Sequence, residues 1–163
     1  MNVILSLMLA LLPALLGQTK PDSSVSIKDL RNAPATVVID NRSLHLSAYP
    51  WRDFMPGNGG SPLMVAVKIA SDDKQPLPSG IRMDRVWVLY GEQSWDVAVR
   101  GRIPGQDQDM LIKCPNSPVC EISVRGGPMW EPGVYVDVVL RFIDSAGKEY
   151  FLQAPNQQVK ATN

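Results

Sequence analysis

The chain has 163 residues, 45% of them apolar, and 16 basic side chains balance 16 acidic ones, so the formal charge is zero. That length suits one domain, and the apolar share excludes a disordered tail. The charge balance removes the generic electrostatic case for nucleic acid or an anionic membrane as partner. A single His excludes most His-based metal sites and makes any catalytic triad depend on one residue.

The first predicted element is a targeting signal. Val3 to Leu16 reads VILSLMLALLPALL, a run of about 14 residues, whereas crossing a ~30 Å hydrocarbon core takes about 20. Its position, its length and the small residue after it predict a secretory signal peptide over residues 1–17, cut after Gly17, with Ala14 as the alternative cut. An uncleaved anchor or a buried helix is the competing reading. No Cys follows the run, which argues against a lipid-anchored lipoprotein. Removing the signal leaves the mature chain at roughly 41% apolar, still ordinary for a globular domain.

Residues 18–35 are polar and interrupted by Pro21 and Pro34. They predict a spacer with at most one edge strand near Val25–Ile27. From Thr36 onward the pattern is strand after strand. TVVID (36–40) and SLHLSA (43–48) flank a turn at Asn41. Leu63, Val65, Val67 and Ile69 alternate with Met64, Ala66, Lys68 and Ala70, a period of two with one greasier face. MDRVWVLY (83–90) is apolar on both faces toward its end, as a central strand is. Trp95, Val97 and Val99 alternate over 94–100, and 103–109 is a polar loop. Leu111–Lys113 and Cys120–Arg125 flank a cysteine loop, GVYVDVVLRFID (133–144) is the strongest strand signal, and strands over 148–153 and 157–161 follow. No mature segment carries a 3.6-residue apolar period with caps. Seven to nine short strands with regular turn signals predict an all-β, antiparallel β-sandwich over residues 36–163.

Cys114 and Cys120 bracket PNSPV. An oxidising compartment would close them into a disulfide, a small ring for which chain entropy gives ~2.4 kcal/mol. A zinc site would need a second ligand pair, and redox motifs separate their cysteines by two residues. Free thiols are the other alternative.

The strand at Leu63–Ala70, the strand bearing Trp87, and Pro132-Gly133-Val134-Tyr135 leading into VDVVLRFIDSAGKEYFL together resemble an immunoglobulin-like or fibronectin type III-like domain. The resemblance implies that Trp87 packs between the sheets and that Tyr135 makes the tyrosine corner. Cys114 and Cys120 are too close in sequence to be the inter-sheet pair of antibody domains. Such folds host adhesion, carbohydrate and protein binding, and inhibition, so the resemblance fixes no function.

YPWRDFMPGNGGSP (49–62) is the most unusual stretch. Aromatics with Arg are what binding hot spots use, and Tyr and Trp also stack on sugar rings. The candidate binding residues are therefore Tyr49, Trp51, Arg52 and Phe54, with Trp130 as a second element. The plainer reading is a loop over the end of the sandwich, its aromatics plugging the core and Arg52 pairing with Asp53 at the surface. For His45 the plain reading is an exposed strand residue. A catalytic role would need a nucleophile and an orienting acid within hydrogen-bond reach. Asp107 and Asp109 have a calcium-loop spacing without an EF-hand register, and the methionines do not cluster as copper ligands do. No cofactor or metal is expected. The sequence thus predicts a secreted or periplasmic, non-enzymatic module that binds a protein or glycan, with a protease inhibitor or a structural subunit of a surface assembly as alternatives and no transmembrane anchor after cleavage.

Overall fold

The computed structural model describes residues 25–57, 59–99 and 112–163. The expected signal peptide, the start of the spacer, the loop bearing Asp107 and Asp109, and Met110 lie outside the described residues.

The described chain opens with one helical turn, α1 (Ile27–Arg31). This corrects the expected edge strand near Val25–Ile27. Ser26 caps the turn by accepting from the Asp29 amide, and it donates its hydroxyl to the Asp29 carboxylate, so the orphan donors at the helix start find partners. Leu30, 1% exposed, is the anchor.

The strands are β1 (Thr36–Ile39), β2 (Arg42–Asp53), β3 (Met64–Ser71), β4 (Arg82–Tyr90), β5 (Gln93–Ala98), β6 (Ile112–Lys113), β7 (Val119–Arg125), β8 (Tyr135–Ile143), β9 (Glu149–Gln158) and β10 (Lys160–Thr162). They build two sheets, mostly antiparallel. One runs β1-β2-β3-β7, with β10 parallel to the far end of β2; the other runs β5-β4-β8-β9, with β6 on β4. The turn between β1 and β2 places Asp40 and Asn41 at positive φ, the geometry of a two-residue primed turn, which Asp and Asn tolerate best among side-chain-bearing residues. The expected all-β sandwich is therefore present. Leu44, Leu46, Val65, Val67 and Ile69 from one sheet meet Val86, Val88, Val138, Leu140 and Phe142 from the other in one core. Cys114 and Cys120 join that core at disulfide distance, with Cα atoms 5.4 Å apart.

Three further features depart from expectation. Trp87 does not lie between the sheets. It belongs to a second cluster with Leu30, Ala33, Leu89 and Val139, on the face of the β4–β8 sheet that α1 covers. The cause is an irregularity between Met83 and Arg85. One extra residue inverts the in–out alternation beyond it, so Val86 and Val88 face the main core and Trp87 faces α1. Tyr135 is 54% exposed, and its hydroxyl makes no hydrogen bond among the described residues, so it does not form the tyrosine corner.

The third departure is the length of β2. The stretch Tyr49–Asp53, expected to be loop, continues the strand and pairs with β3 through Trp51↔Met64. Pro50 is tolerated there because β1 pairs residues 42–45 of that edge and β10 pairs residues 51–53, leaving Pro50 in the part neither covers.

Candidate functional site

Because β2 is extended, its side chains alternate between faces, and this splits the expected binding stretch. Tyr49, Trp51 and Asp53 point outward; Pro50 and Arg52 point inward. Tyr49 is 49% exposed, and its ring lies 5.7 Å from that of Trp51. The cross-strand rows on this outer face are Ser47–Lys68–Glu121, Tyr49–Ala66–Ser123 and Trp51–Met64–Arg125. Small Ala66 between large neighbours leaves a depression of about 280 Å³, lined by Ser47, Ala48, Tyr49, Ala66, Lys68 and Glu121.

Arg52 is 2% exposed, which removes it from the set of residues that can touch a ligand and corrects the expected surface pair with Asp53. Its Nε donates to the Ser61 carbonyl at 2.7 Å, and its Nη1 donates to the carbonyls of Met129 and Trp130 at 3.3 and 3.2 Å. The guanidinium also lies 4.9 Å from the centre of the half-buried Phe54 ring. Gly60 closes over this pair: an added Cβ would stand 2.7 Å from Phe54 and 2.9 Å from Arg52, and the φ of +95° disfavours any side chain. Arg52 and Phe54 are thus a clamp that holds the loop after β2 to residues 129–130.

Trp130 sits apart from Tyr49 and Trp51, on the other side of the clamp. Its Nε1 donates to the Gln93 side chain at 2.9 Å, and its ring lies 5.4 Å from that of Tyr90. The five sequence-derived residues therefore occupy three places: an outward aromatic pair (Tyr49, Trp51), an interior clamp (Arg52, Phe54), and Trp130 packed beside the turn between β4 and β5. Met55 and Met129, each more than half exposed, flank the clamp at the same end of the sandwich. Lys68 and Glu121 on the rim of the depression were not singled out from sequence; their shared row depends on the pairing of β3 with β7.

His45 does have an acid beside it. Its Nδ1 lies 2.5 Å from Asp72 Oδ1. The Ser43 hydroxyl, two residues before it on the same face, also bonds Asp72, and these two bonds hold the Asp72 carboxyl below its ordinary value of 3.8, the Ser43 bond contributing most. A hydrolytic triad needs the serine on the imidazole instead. Other carboxylates face cations: Asp84 meets Arg141, Asp96 meets Arg85, and Asp137 meets Arg31. Among the described residues no group of three or more His, Cys, Asp or Glu side chains could hold a metal ion.

Two more carboxyls are held low, Asp73 chiefly by the Ser71 hydroxyl and Asp144 chiefly by the Lys148 amide. A carboxylate depressed in the folded state stabilises above its unfolded pKa, and that contribution disappears as the pH falls through the folded value. The thermal midpoint is therefore expected to fall as the pH is lowered from about 5 toward 2. Asp144→Asn should flatten that dependence while lowering the midpoint at neutral pH. A midpoint independent of pH over this interval in the unsubstituted protein would show that these bonds do not contribute.

No family model and no curated protein matches the chain. It is similar to the crystal structure of a protein designated ApaA from Bordetella pertussis, at 15% identity over 77% of this chain and 93% of that one, with a TM-score of 0.37. That likeness is too loose to bear on fold or function.

Proposed function

We propose that the chain is a secreted or periplasmic, non-enzymatic binding module of immunoglobulin-like type, and that it meets its partner, a protein or glycan, on the outer face of the β2–β3–β7 sheet. The observation that carries this reading is the Tyr49–Trp51 pair: two adjacent aromatic rings, tilted 35° to each other and held outward on a strand whose inward side is fixed by Arg52. Binding surfaces gain most from rigid aromatics that are ordered before the partner arrives.

The immunoglobulin-like assignment is supported by strand order. β2-β3-β7 facing β5-β4-β8-β9 corresponds to strands A-B-E facing C′-C-F-G. The export reading is supported by the cysteine pair at disulfide distance, which fits an oxidising compartment, and by the apolar leader. No helix among the described residues is long and apolar enough to cross a membrane. The non-enzymatic reading is supported by the Ser43 hydroxyl, which bonds the Asp72 carboxylate. The alternative of a structural subunit keeps one observation, since β7 ends its sheet with only β3 beside it in the strand order, and such edges accept partner strands.

The test compares immobilised protein with a Tyr49→Ala/Trp51→Ala variant, both exposed to surface extract of the host. Captured protein and captured glycan are quantified separately, and thermal melts confirm that both baits are folded. The reading expects a captured species that the variant loses. Equal capture by two folded baits overturns it.

A further inference from the structure

We infer that the depression beside Tyr49 is a subsite for one neutral pyranose ring, which makes the partner of this face a glycan. The inference rests on the reading of Tyr49 and Trp51 as the contact surface and goes further by naming the ligand class.

The geometry supplies the shape. Tyr49 forms the aromatic wall, backed by Trp51 outside the lining, Ala66 is the floor, and the row Ser47–Lys68–Glu121 forms the facing rim. The depression is open to solvent, and its volume of about 280 Å³ falls just below the range of pockets that take drug-sized ligands, about 300–1,000 Å³. It suits a single six-membered ring.

The chemistry selects among such rings. A pyranose has a patch of C–H bonds on one face and hydroxyls around its edge, each both donor and acceptor. The aromatic wall suits the first. The rim suits the second: Lys68 is donor only, the ionised Glu121 is acceptor only, and the Ser47 hydroxyl is both. A hydrocarbon side chain of a partner protein would leave Lys68 and Glu121 without hydrogen bonds on that side, which disfavours it. Lys68 and Glu121 also cancel in charge within one row, so the depression itself attracts neither an acidic nor a basic sugar. Lys160, next to Trp51 on the β10 side, has its ammonium bonded to Gln158.

The wall is also pre-ordered. Tyr49 and Trp51 are held by pairing of β2 to β3 at Ala66 and Met64, and the residue after Trp51 is the buried Arg52 clamp. A rigid platform lowers the ordering cost on binding.

The experiment is an NMR titration of the purified protein with the methyl glycosides of glucose, galactose, mannose and N-acetylglucosamine, and with methyl glucuronoside as the acidic comparison. The inference expects at least one neutral glycoside to give saturable shifts centred on the amides of Tyr49, Ala66, Lys68 and Glu121. It expects Tyr49→Ala to weaken that binding about tenfold or more, and Glu121→Gln to weaken it about threefold or more. Both positions are exposed, and the amide spectrum of each variant reports its fold directly. Saturable shifts for none of the neutral glycosides, binding of the acidic one alone, or binding untouched by Tyr49→Ala overturns the inference. If the glycosides fail while the Tyr49→Ala/Trp51→Ala bait still loses a host protein, the sugar is wrong and the contact face stands. If neither responds, both fall.

Discussion

Arg52→Ala is expected to cost about 3–5 kcal/mol, a fall of roughly 10–15 °C in the thermal midpoint for a domain of this size. The magnitude follows from what the guanidinium satisfies. Three backbone carbonyls, from Ser61, Met129 and Trp130, point at one buried cation. Removing it leaves acceptors orphaned in the interior, at about 1–3 kcal/mol each and less than additively. The packing of the guanidinium on Phe54 is lost as well. Arg52→Lys is expected to recover only a minor part, because one ammonium cannot reproduce the planar fork that reaches two separate loops. Urea unfolding of both variants checks this, and a loss below about 1 kcal/mol for Arg52→Ala would mean that water replaces the clamp without cost. The two loops would also loosen together, since Arg52 is what couples residue 61 to residues 129–130. A variant folded at low temperature but with a disordered Trp130 ring would show this in its fluorescence.

That Arg52 faces inward was legible in the sequence, through a signal that Pro50 obscured. Leu44, Leu46 and Ala48 set a period of two, and continuing it through Pro50 places Arg52 on the core face. Reading the aromatic-rich stretch as loop broke the period one turn too early. Elsewhere the apolar runs located strands well: β3, β4 and β8 fall within two residues of their expected ends, because buried apolar residues continue through each of them. β9 runs on through Pro155, where a break was expected, and it does so alongside a register shift between Val136 and Val138 with Asn156 at positive φ. Trp87 shows what periodicity cannot report. MDRVWVLY alternates equally well in either phase, and only the pairing of β4 with β8 reveals the extra residue that turns Trp87 outward. α1 was hidden for a different reason: a single turn is too short to show a 3.6-residue period, and Leu30 is its only buried residue. The depression beside Tyr49 and the Ser43–Asp72–His45 contact depend on register between strands and on a turn folding back, information that no local window contains.

Asp84→Asn is expected to cost about 3 kcal/mol, at the lower end of what breaking a buried ion pair costs. Asp84 is 6% exposed, and its Oδ2 accepts from both Nε and Nη2 of Arg141. The amide keeps the shape but removes the charge that balances this guanidinium. The other carboxylate near Arg141, Glu149, is 3.8 Å away and half exposed, so solvent weakens it as a substitute. The site also has a like-charge problem that Asp84 resolves. Arg85 and Arg141 are directly opposite in the β4–β8 register, an arrangement that is destabilising without intervening negative charge. Asp96 takes one guanidinium and Asp84 the other. With Asp84 neutralised, Arg141 is expected to move from its place 5.7 Å over the Trp87 ring, loosening the cluster beneath α1 as well. Because the pair is largely desolvated, the loss should change little with salt. The discriminating measurement is a double-mutant cycle. Asp84→Leu and Arg141→Met each destabilise, whereas the two together return most of the stability, since two apolar side chains leave no charge stranded. Additive losses across the cycle would mean that each residue acts through its own packing and that the pair itself contributes nothing.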